Sequence, residues 1–195
     1  MHQSGLIFVI SAPSGTGKTT LVQALLAQDA NIKNAITHTT RPKRSGEKDG
    51  IHYHFVSKTE FLRLKEQDFF IETAEVYGHY YGTSCTAVTD ILAQNKDVVL
   101  NIEWQGAQNV RKRFQTQAIT IFITPPCLET LRVRMQHRGD AAAEIENRIH
   151  SAQTELAHIA EYDYLIINDQ FDDALTHLES IIQAERLRIR PNCSQ

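Results

Sequence analysis

Leu6-Ile7-Phe8-Val9-Ile10-Ser11-Ala12-Pro13-Ser14-Gly15-Thr16-Gly17-Lys18-Thr19-Thr20-Leu21 is the stretch that decides the fold. The apolar, β-branched run over 6–10 predicts a buried strand. Pro13, Gly15 and Gly17 break it, and a helical pattern begins at Lys18, giving strand, loop, helix. The loop follows the phosphate-loop pattern G-x-x-x-x-G-K-[ST], with Ala12 in the first glycine's place. Glycines at positive φ let successive backbone N–H groups point around an anion, and the helix N-terminus adds further unpaired N–H groups. In such a loop Lys18 reaches the β- and γ-phosphates and the Thr19 hydroxyl ligates Mg²⁺. The stretch therefore implies a nucleoside triphosphate site and leaves the reaction open.

Outward from the loop, Leu21, Val22, Leu25 and Leu26 continue a helix to about Gln28. Residues 35–39 predict a short strand. The polar loop over 40–50 carries Arg41, Lys43, Arg44 and Lys48 and ends in Asp49-Gly50, a hairpin signal before a strand over 52–55. Ser57-Lys58-Thr59-Glu60 is a capping box opening a helix expected to bury Phe61, Leu62 and Leu64. Residues 69–76 predict a strand closed by Gly78, and Tyr80-Tyr81-Gly82-Thr83 leads into a helix begun by Thr83 or Ser84. The segment of about 36–84 reads as an inserted lobe.

From Val98 the rhythm becomes α/β. Strands are predicted over 98–102, 119–124 and 164–167, with helices over 105–114, 128–135, about 144–160 and 172 to about 188. Continuous apolar strands separated by helices imply a parallel sheet covered on both faces. Ligands on such sheets bind beyond the carboxyl ends of the strands, where the phosphate loop lies.

At 195 residues, with 42% hydrophobic and 22% charged residues, the chain suits one domain with inserted lobes. A formal charge of -3 argues against a general nucleic-acid binder. No apolar run spans a membrane, and Met1-His2-Gln3-Ser4 lacks a secretory pattern, which implies a cytoplasmic protein. Monomeric and homo-oligomeric states both fit the composition. Cys85, Cys127 and Cys193 are far apart and form no C-x-x-C pair, so they read as reduced thiols.

Arg134 and Arg138 lie four apart on one helix face, Arg132 is near, and Arg148 follows one short loop later. Alone they read as a solvated surface paired with Glu129, Glu144 and Glu146. Beside a phosphate loop they read as a closing lid that turns over 139–143, because arginine's planar fork suits phosphoryl oxygens. Arg41 and Arg44 beside Tyr53 make a second anion site. Two anion sites, one for a triphosphate and one beyond it, imply a kinase whose acceptor is itself phosphorylated.

At this point the sequence resembles guanylate kinases of the bacterial type, from Leu6 to about Arg190. The resemblance rests on Ser11 to Thr19, on Thr39-Thr40-Arg41-Pro42 with Arg44 and Gly46-Glu47, on Tyr80-Tyr81-Gly82-Thr83, Trp104-Gln105-Gly106, Arg138-Gly139 and Asn168-Asp169. It implies an α/β P-loop NTPase core (1–35, 96–125 and 160–195) with a helix-flanked parallel sheet, a small mixed-β GMP-binding lobe (about 36–84) and a helical lid (about 126–159). The implied reaction is ATP + GMP to ADP + GDP with Mg²⁺, with dGMP as a further acceptor, in purine nucleotide metabolism.

Carried over by motif position, the resemblance implies that Ser11, Ala12, Pro13, Ser14, Gly15, Thr16, Gly17, Lys18, Thr19 and Thr20 bind ATP, with Asn168 near its base. Arg41, Arg44, Tyr53 and Tyr81 would hold the GMP phosphate, and Thr37, Glu72, Thr83 and Glu103 would read guanine. Lys18, Arg134, Arg138 and Arg148 would stabilise the phosphoryl group in flight, and Thr19 and Asn101 would serve the metal. Guanine offers adjacent N1–H and N2–H donors to a carboxylate, whereas adenine presents an acceptor where guanine has N1–H; such a mismatch can discriminate by roughly 10⁴–10⁵. The sequence departs from the family in two places. Asn101 and Glu103 stand where it usually has aspartates, and the lid turn Asp140-Ala141-Ala142-Ala143 is one residue short.

Other features read as structural. Phe69, Phe70 and Tyr80 suit packing, Trp104 suits packing beside the nucleotides, and His52 and His54 share a strand face without a third metal ligand. The run Glu185 to Arg190 reads as a solvated helix end, with RNA contact as the alternative. The rival functions are a P-loop kinase for a ribose bisphosphate, a nucleotide-gated switch, and a scaffold module binding phosphopeptide. Lys18 argues against the scaffold, and the carboxylates argue for a base in the acceptor.

Overall fold

The computed structural model describes residues 5–76 and 78–190. The chain runs β1 (Ile7–Ser11), α1 (Lys18–Gln28), β2 (Ile32–Asn34), β3 (Thr37–Thr39), β4 (His54–Phe55), α2 (Lys58–Glu66), β5 (Phe70–Val76), β6 (His79–Ser84) and α3 (Cys85–Ala93). It continues β7 (Asp97–Asn101), α4 (Trp104–Phe114), β8 (Ala118–Thr124), α5 (Leu128–His137), α6 (Ala142–Leu156), β9 (Tyr164–Ile167) and α7 (Phe171–Leu187). Cys193 lies outside the described residues.

The core is a parallel sheet in the order β2-β7-β1-β8-β9. Its central strand β1 is buried at every position because both faces are covered. Phe8, Ile10, Ile121 and Ile166 pack under α1 and α7 through Leu21, Leu25, Leu178 and Ile182. On the other face Ile7, Val9, Val98 and Leu100 meet Val88 of α3 and Ala107 and Val110 of α4. The α/β rhythm read from the sequence is thus the observed core. No helix among the described residues is long and apolar enough to cross a membrane.

The lobe is a four-stranded mixed sheet, β4-β3-β6-β5. Phe61 of α2 is fully buried in it, stacked 4.6 Å from Phe70 and 5.6 Å from Tyr80. Gly82 makes room for this stack, since a Cβ there would come within 3.0 Å of both Phe61 and Phe70.

Several local expectations are corrected here. Asp49-Gly50 is no hairpin, because β3 and β4 on either side of the loop pair in parallel. Gly50 instead turns locally at φ 72°, its N–H donating to Tyr53 O at 2.8 Å, while Asp49 Oδ1 accepts from Phe55 N at 2.8 Å. Tyr80 to Thr83 lead into helix α3 as expected, but they do so as strand β6, because Gly78 at φ 76° brings them back antiparallel onto β5. Ser84 caps α3, its hydroxyl accepting from Ala87 N. The short strand β2 is an addition: Ile32 is buried and the segment pairs only with β7. In α2 only Phe61 is buried, and Leu62 is 37% exposed, because a nine-residue helix at the rim covers the sheet with one face. Half of the capping box forms: Ser57 Oγ accepts from Glu60 N at 3.1 Å, but the Glu60 carboxylate turns to Arg63. Helix α6 stops at Leu156, short of the expected 160, and a 3₁₀ turn follows at Ile159–Glu161.

The chain's last helical turn is also corrected. Glu185 is 2% exposed and holds Tyr164 and Arg190, while Arg186 donates to Asp29 at 2.6 Å and to Asp97 at 2.7 Å. Glu185, Arg186 and Arg190 thus close the core, while Leu187, Arg188 and Ile189 are exposed as a solvated end would be.

Candidate active site

At the C-terminal end of β1 the loop turns on itself, with Thr16 N–H donating to Pro13 O at 3.2 Å. Gly15 and Gly17 sit at φ 88° and 95°, whereas Ala12 is not among the residues at positive φ, so a methyl is tolerated in the first glycine's place. Gly17 also gives close approach, since a Cβ there would lie 2.8 Å from Asn168 Nδ2. Helix α1 starts from Gly17 without a side-chain cap, which leaves the first-turn amides to a ligand. Thr19 and Thr20 are exposed there, and Lys18 Nζ lies 3.5 Å from Ile102 O.

One cleft runs from this loop to the mixed sheet. It is lined by Ala12 to Gly15, Gly17 to Thr20, Asn101 and Glu103 on the core side, Thr37, Arg44, Tyr53, Glu72 and Tyr81 on the lobe side, and Arg134, Arg138 and Arg148 from α5 and α6. Most of the sequence-predicted residues are therefore brought together. Five stand behind the wall. Ser11 and Thr16 are buried with unpartnered hydroxyls. Asn168 is buried, its Nδ2 donating to Thr16 O at 2.6 Å, so it braces the loop from the rear. Thr83 is buried with its hydroxyl 3.4 Å from that of Thr37. Arg41 is clamped by both Glu47 oxygens at 2.7 and 3.1 Å and stacks 5.4 Å from the Tyr53 ring centre.

Helices α5 and α6 share a small core of Leu131, Met135, Ile145, Ile149 and Ala152, and the chain turns between them at Gly139, φ 84°. This core carries the arginines to the loop. Arg134 donates to Thr16 O at 3.4 Å and to Asn168 O at 3.0 Å, and Arg148 donates to Ser14 Oγ at 2.9 Å. Arg138 pairs with Asp140, and Arg148 also meets Glu144. Arg132 points elsewhere, to Glu129 and Glu146.

At the far end Glu72 is 4% exposed, opposite Thr83 in the β5–β6 register. Its Oε1 has no partner. Burial pushes its carboxyl up to about 7, with Thr83 hydrogen bonds pulling down and the nearby Glu103 charge pushing further up. Burial likewise raises the Tyr53 hydroxyl.

Glu155 is a lining residue the sequence reading missed. Burial, then Glu103, push its carboxyl up to about 8, against the pull of Lys18. Its signal was present: it lies two turns beyond Arg148 on α6, on the same face. Trp104 stacks 3.7 Å from the His158 ring centre, joining α4 to the segment that follows α6.

For a divalent cation the chain offers the exposed Thr19 hydroxyl and the Asn101 amide at the mouth of β7, both hard oxygen donors. No group of three or more His, Cys, Asp or Glu among the described residues could hold a metal by itself. The donor set therefore fits a metal that arrives with nucleotide phosphates.

A guanylate kinase family model matches residues 4–185. The chain is 50% identical over 186 residues to the guanylate kinase of Hahella chejuensis, covering 95% of this chain and 89% of that one. Identity to the guanylate kinase of Acinetobacter baylyi is 51% over 187 residues, covering 95% and 90%. The crystal structure of guanylate kinase from Anaplasma phagocytophilum aligns with a TM-score of 0.79 at 34% identity, covering 95% of this chain and 88% of that one. Sequence and fold agree along nearly the whole chain, which belongs to the guanylate kinase family.

Proposed function

We propose that this chain binds ATP on the loop between β1 and α1 and GMP against the mixed sheet, and transfers the γ-phosphoryl group to the GMP phosphate, giving ADP and GDP. The observation that carries this is the single cleft with a phosphate loop at one end and, at the other, a buried carboxylate with an unpartnered oxygen. The reading extends to dGMP as a second acceptor and to a cytoplasmic enzyme of purine nucleotide metabolism.

The loop amides from Ser14 to Thr20 hold the triphosphate, while Ser11, Ala12, Pro13, Thr16 and Asn168 keep the loop in shape. Thr19 and Asn101 would hold Mg²⁺, which when bound neutralises charge on the bridging phosphate oxygens. Glu72 and Glu103 accept from guanine N1–H and N2–H, and the Thr37–Thr83 hydroxyl pair serves O6. Arg44, Tyr53 and Tyr81 meet the acceptor phosphate, with Arg41 supporting Tyr53 from behind. Lys18, Arg134, Arg138 and Arg148 surround the group in transit. The acceptor phosphate is already anionic, so positioning and charge stabilisation suffice and no general base is needed.

The test is coupled ADP release with GMP, dGMP, AMP, CMP, UMP and ribose 1,5-bisphosphate as separate acceptors, beside Lys18→Ala. Turnover restricted to GMP and dGMP, and reduced at least ~10³-fold in the variant, is expected. Turnover with ribose 1,5-bisphosphate, or none with GMP, would reject the reading.

A further inference from the structure

Gly106 occupies the first turn of α4 and is buried. A glycine costs a helix up to about 1 kcal/mol relative to alanine, so its presence asks for a local reason. The structure supplies one. A Cβ on Gly106 would lie 2.6 Å from Glu72 Oε2 and 3.3 Å from Glu72 Cδ, closer than a side-chain carbon can sit to that oxygen. The next neighbour, Ile102 Cδ1, would be 3.2 Å away and can yield by a few tenths of an ångström. Across the lobe-to-core boundary, the Glu72 carboxylate thus sinks onto bare helix backbone.

The other side of Glu72 is constrained too. Its backbone is fixed opposite Thr83, just after the register shift between Phe70 and Glu72, so the side chain cannot be re-aimed by sliding the strand. Oε1 is buried out of reach of solvent without a hydrogen-bond partner, and Thr83 lies beside the carboxylate, so the group has little room to retreat from α4. We infer that Gly106 is a positioning residue for GMP selection: the missing side chain on α4 sets the depth of the Glu72 carboxylate and thereby its placement against the guanine edge. A displacement near 1 Å at such a contact is enough to matter, because hydrogen bonds to a base depend steeply on placement.

This inference rests on Glu72 reading guanine, so Glu72→Gln is measured alongside the variants that test it. These are Gly106→Ala, Glu72→Asp and the double variant, each assayed by ADP release with GMP varied at saturating ATP and the reverse, and each melted thermally. Gly106→Ala is expected to raise KM for GMP by ~10-fold or more while KM for ATP stays within about twofold. In the Glu72→Asp background, where the shorter carboxylate clears the methyl, the same change is expected to alter KM for GMP by less than about threefold. If Gly106→Ala folds poorly, recovery of its melting temperature by Glu72→Asp supports the inference. Equal loss in both backgrounds would mean that the methyl meets Ile102 or backbone, and would overturn it. An unchanged KM for GMP in Gly106→Ala, with Glu72→Gln impaired, would overturn the inference alone. An unchanged KM for GMP in Glu72→Gln would remove the base-reading role and the inference together.

Discussion

Burial leaves the Glu72 carboxyl titrating near neutrality, at about 7, in the nucleotide-free protein. Guanine's two donors need the ionised form, so below that pH the carboxyl must lose its proton when GMP binds. GMP affinity is therefore expected to weaken as pH falls below about 7, approaching ~10-fold per unit, while Glu72→Gln binds weakly at every pH. Calorimetry in buffers of different ionisation enthalpy would detect the released proton, and a flat wild-type profile would contradict the assignment. Asn101 gives a second residue-scale prediction. It places a neutral amide at the mouth of the cleft, so Asn101→Asp, which adds a charged oxygen donor, is expected to lower the Mg²⁺ concentration needed for half-maximal rate several-fold, ~3-fold or more, in a titration at fixed ATP. The loop residues were legible because their chemistry is local: glycine spacing, lysine and threonine all fall within a few residues. Glu155 was not, because its relation to Lys18 and Glu103 arises only when α6 folds over the cleft.

Among elements, the buried parallel strands announced themselves by continuous apolar runs, whereas in the lobe, whose extent and three of whose strands were legible, β6 and the strand pairing were not. Its short strands are rich in polar residues, and their pairing depends on a turn at Gly78 and on a long loop that returns β4 parallel to β3. Within that sheet His38 packs 4.6 Å from the His54 ring centre and 5.4 and 5.5 Å from those of Phe69 and Phe70. Burial, then the neighbouring His54, depress its pKa to about 4, with Asp49 opposing. The unfolded chain binds this proton from about pH 6.5 downward and the folded lobe only near 4, so the lobe loses stability as pH falls through that window. Urea unfolding followed across the window should show this slope in the wild type and a shallower one in His38→Phe. Equal slopes would exclude His38 as the source.

For the whole molecule, the last turn of α7 closes the core by reaching residues far away in sequence. Burial would raise the Asp29 carboxyl, but Arg186 and the Asn31 amide hold it below its usual value. Asp97, which accepts from Leu6 N at 2.7 Å, takes the other arm of Arg186. Arg186→Met leaves two carboxylates without their cation and is expected to cost about 2–4 kcal/mol in chemical denaturation while KM for GMP and ATP hold. This tie was not legible from the tail, whose alternating charges look solvated until the sheet brings Asp29 and Asp97 beside them. The central claim is that one cleft joins a phosphate loop to a carboxylate that selects guanine. The most direct test is kcat/KM for GMP and for AMP in the wild type and in Glu72→Gln. A wild-type preference for GMP of ~10³ or more that falls by at least ~10² in the variant is predicted. A preference that survives the substitution, or a wild type that phosphorylates AMP as well as GMP, would contradict it.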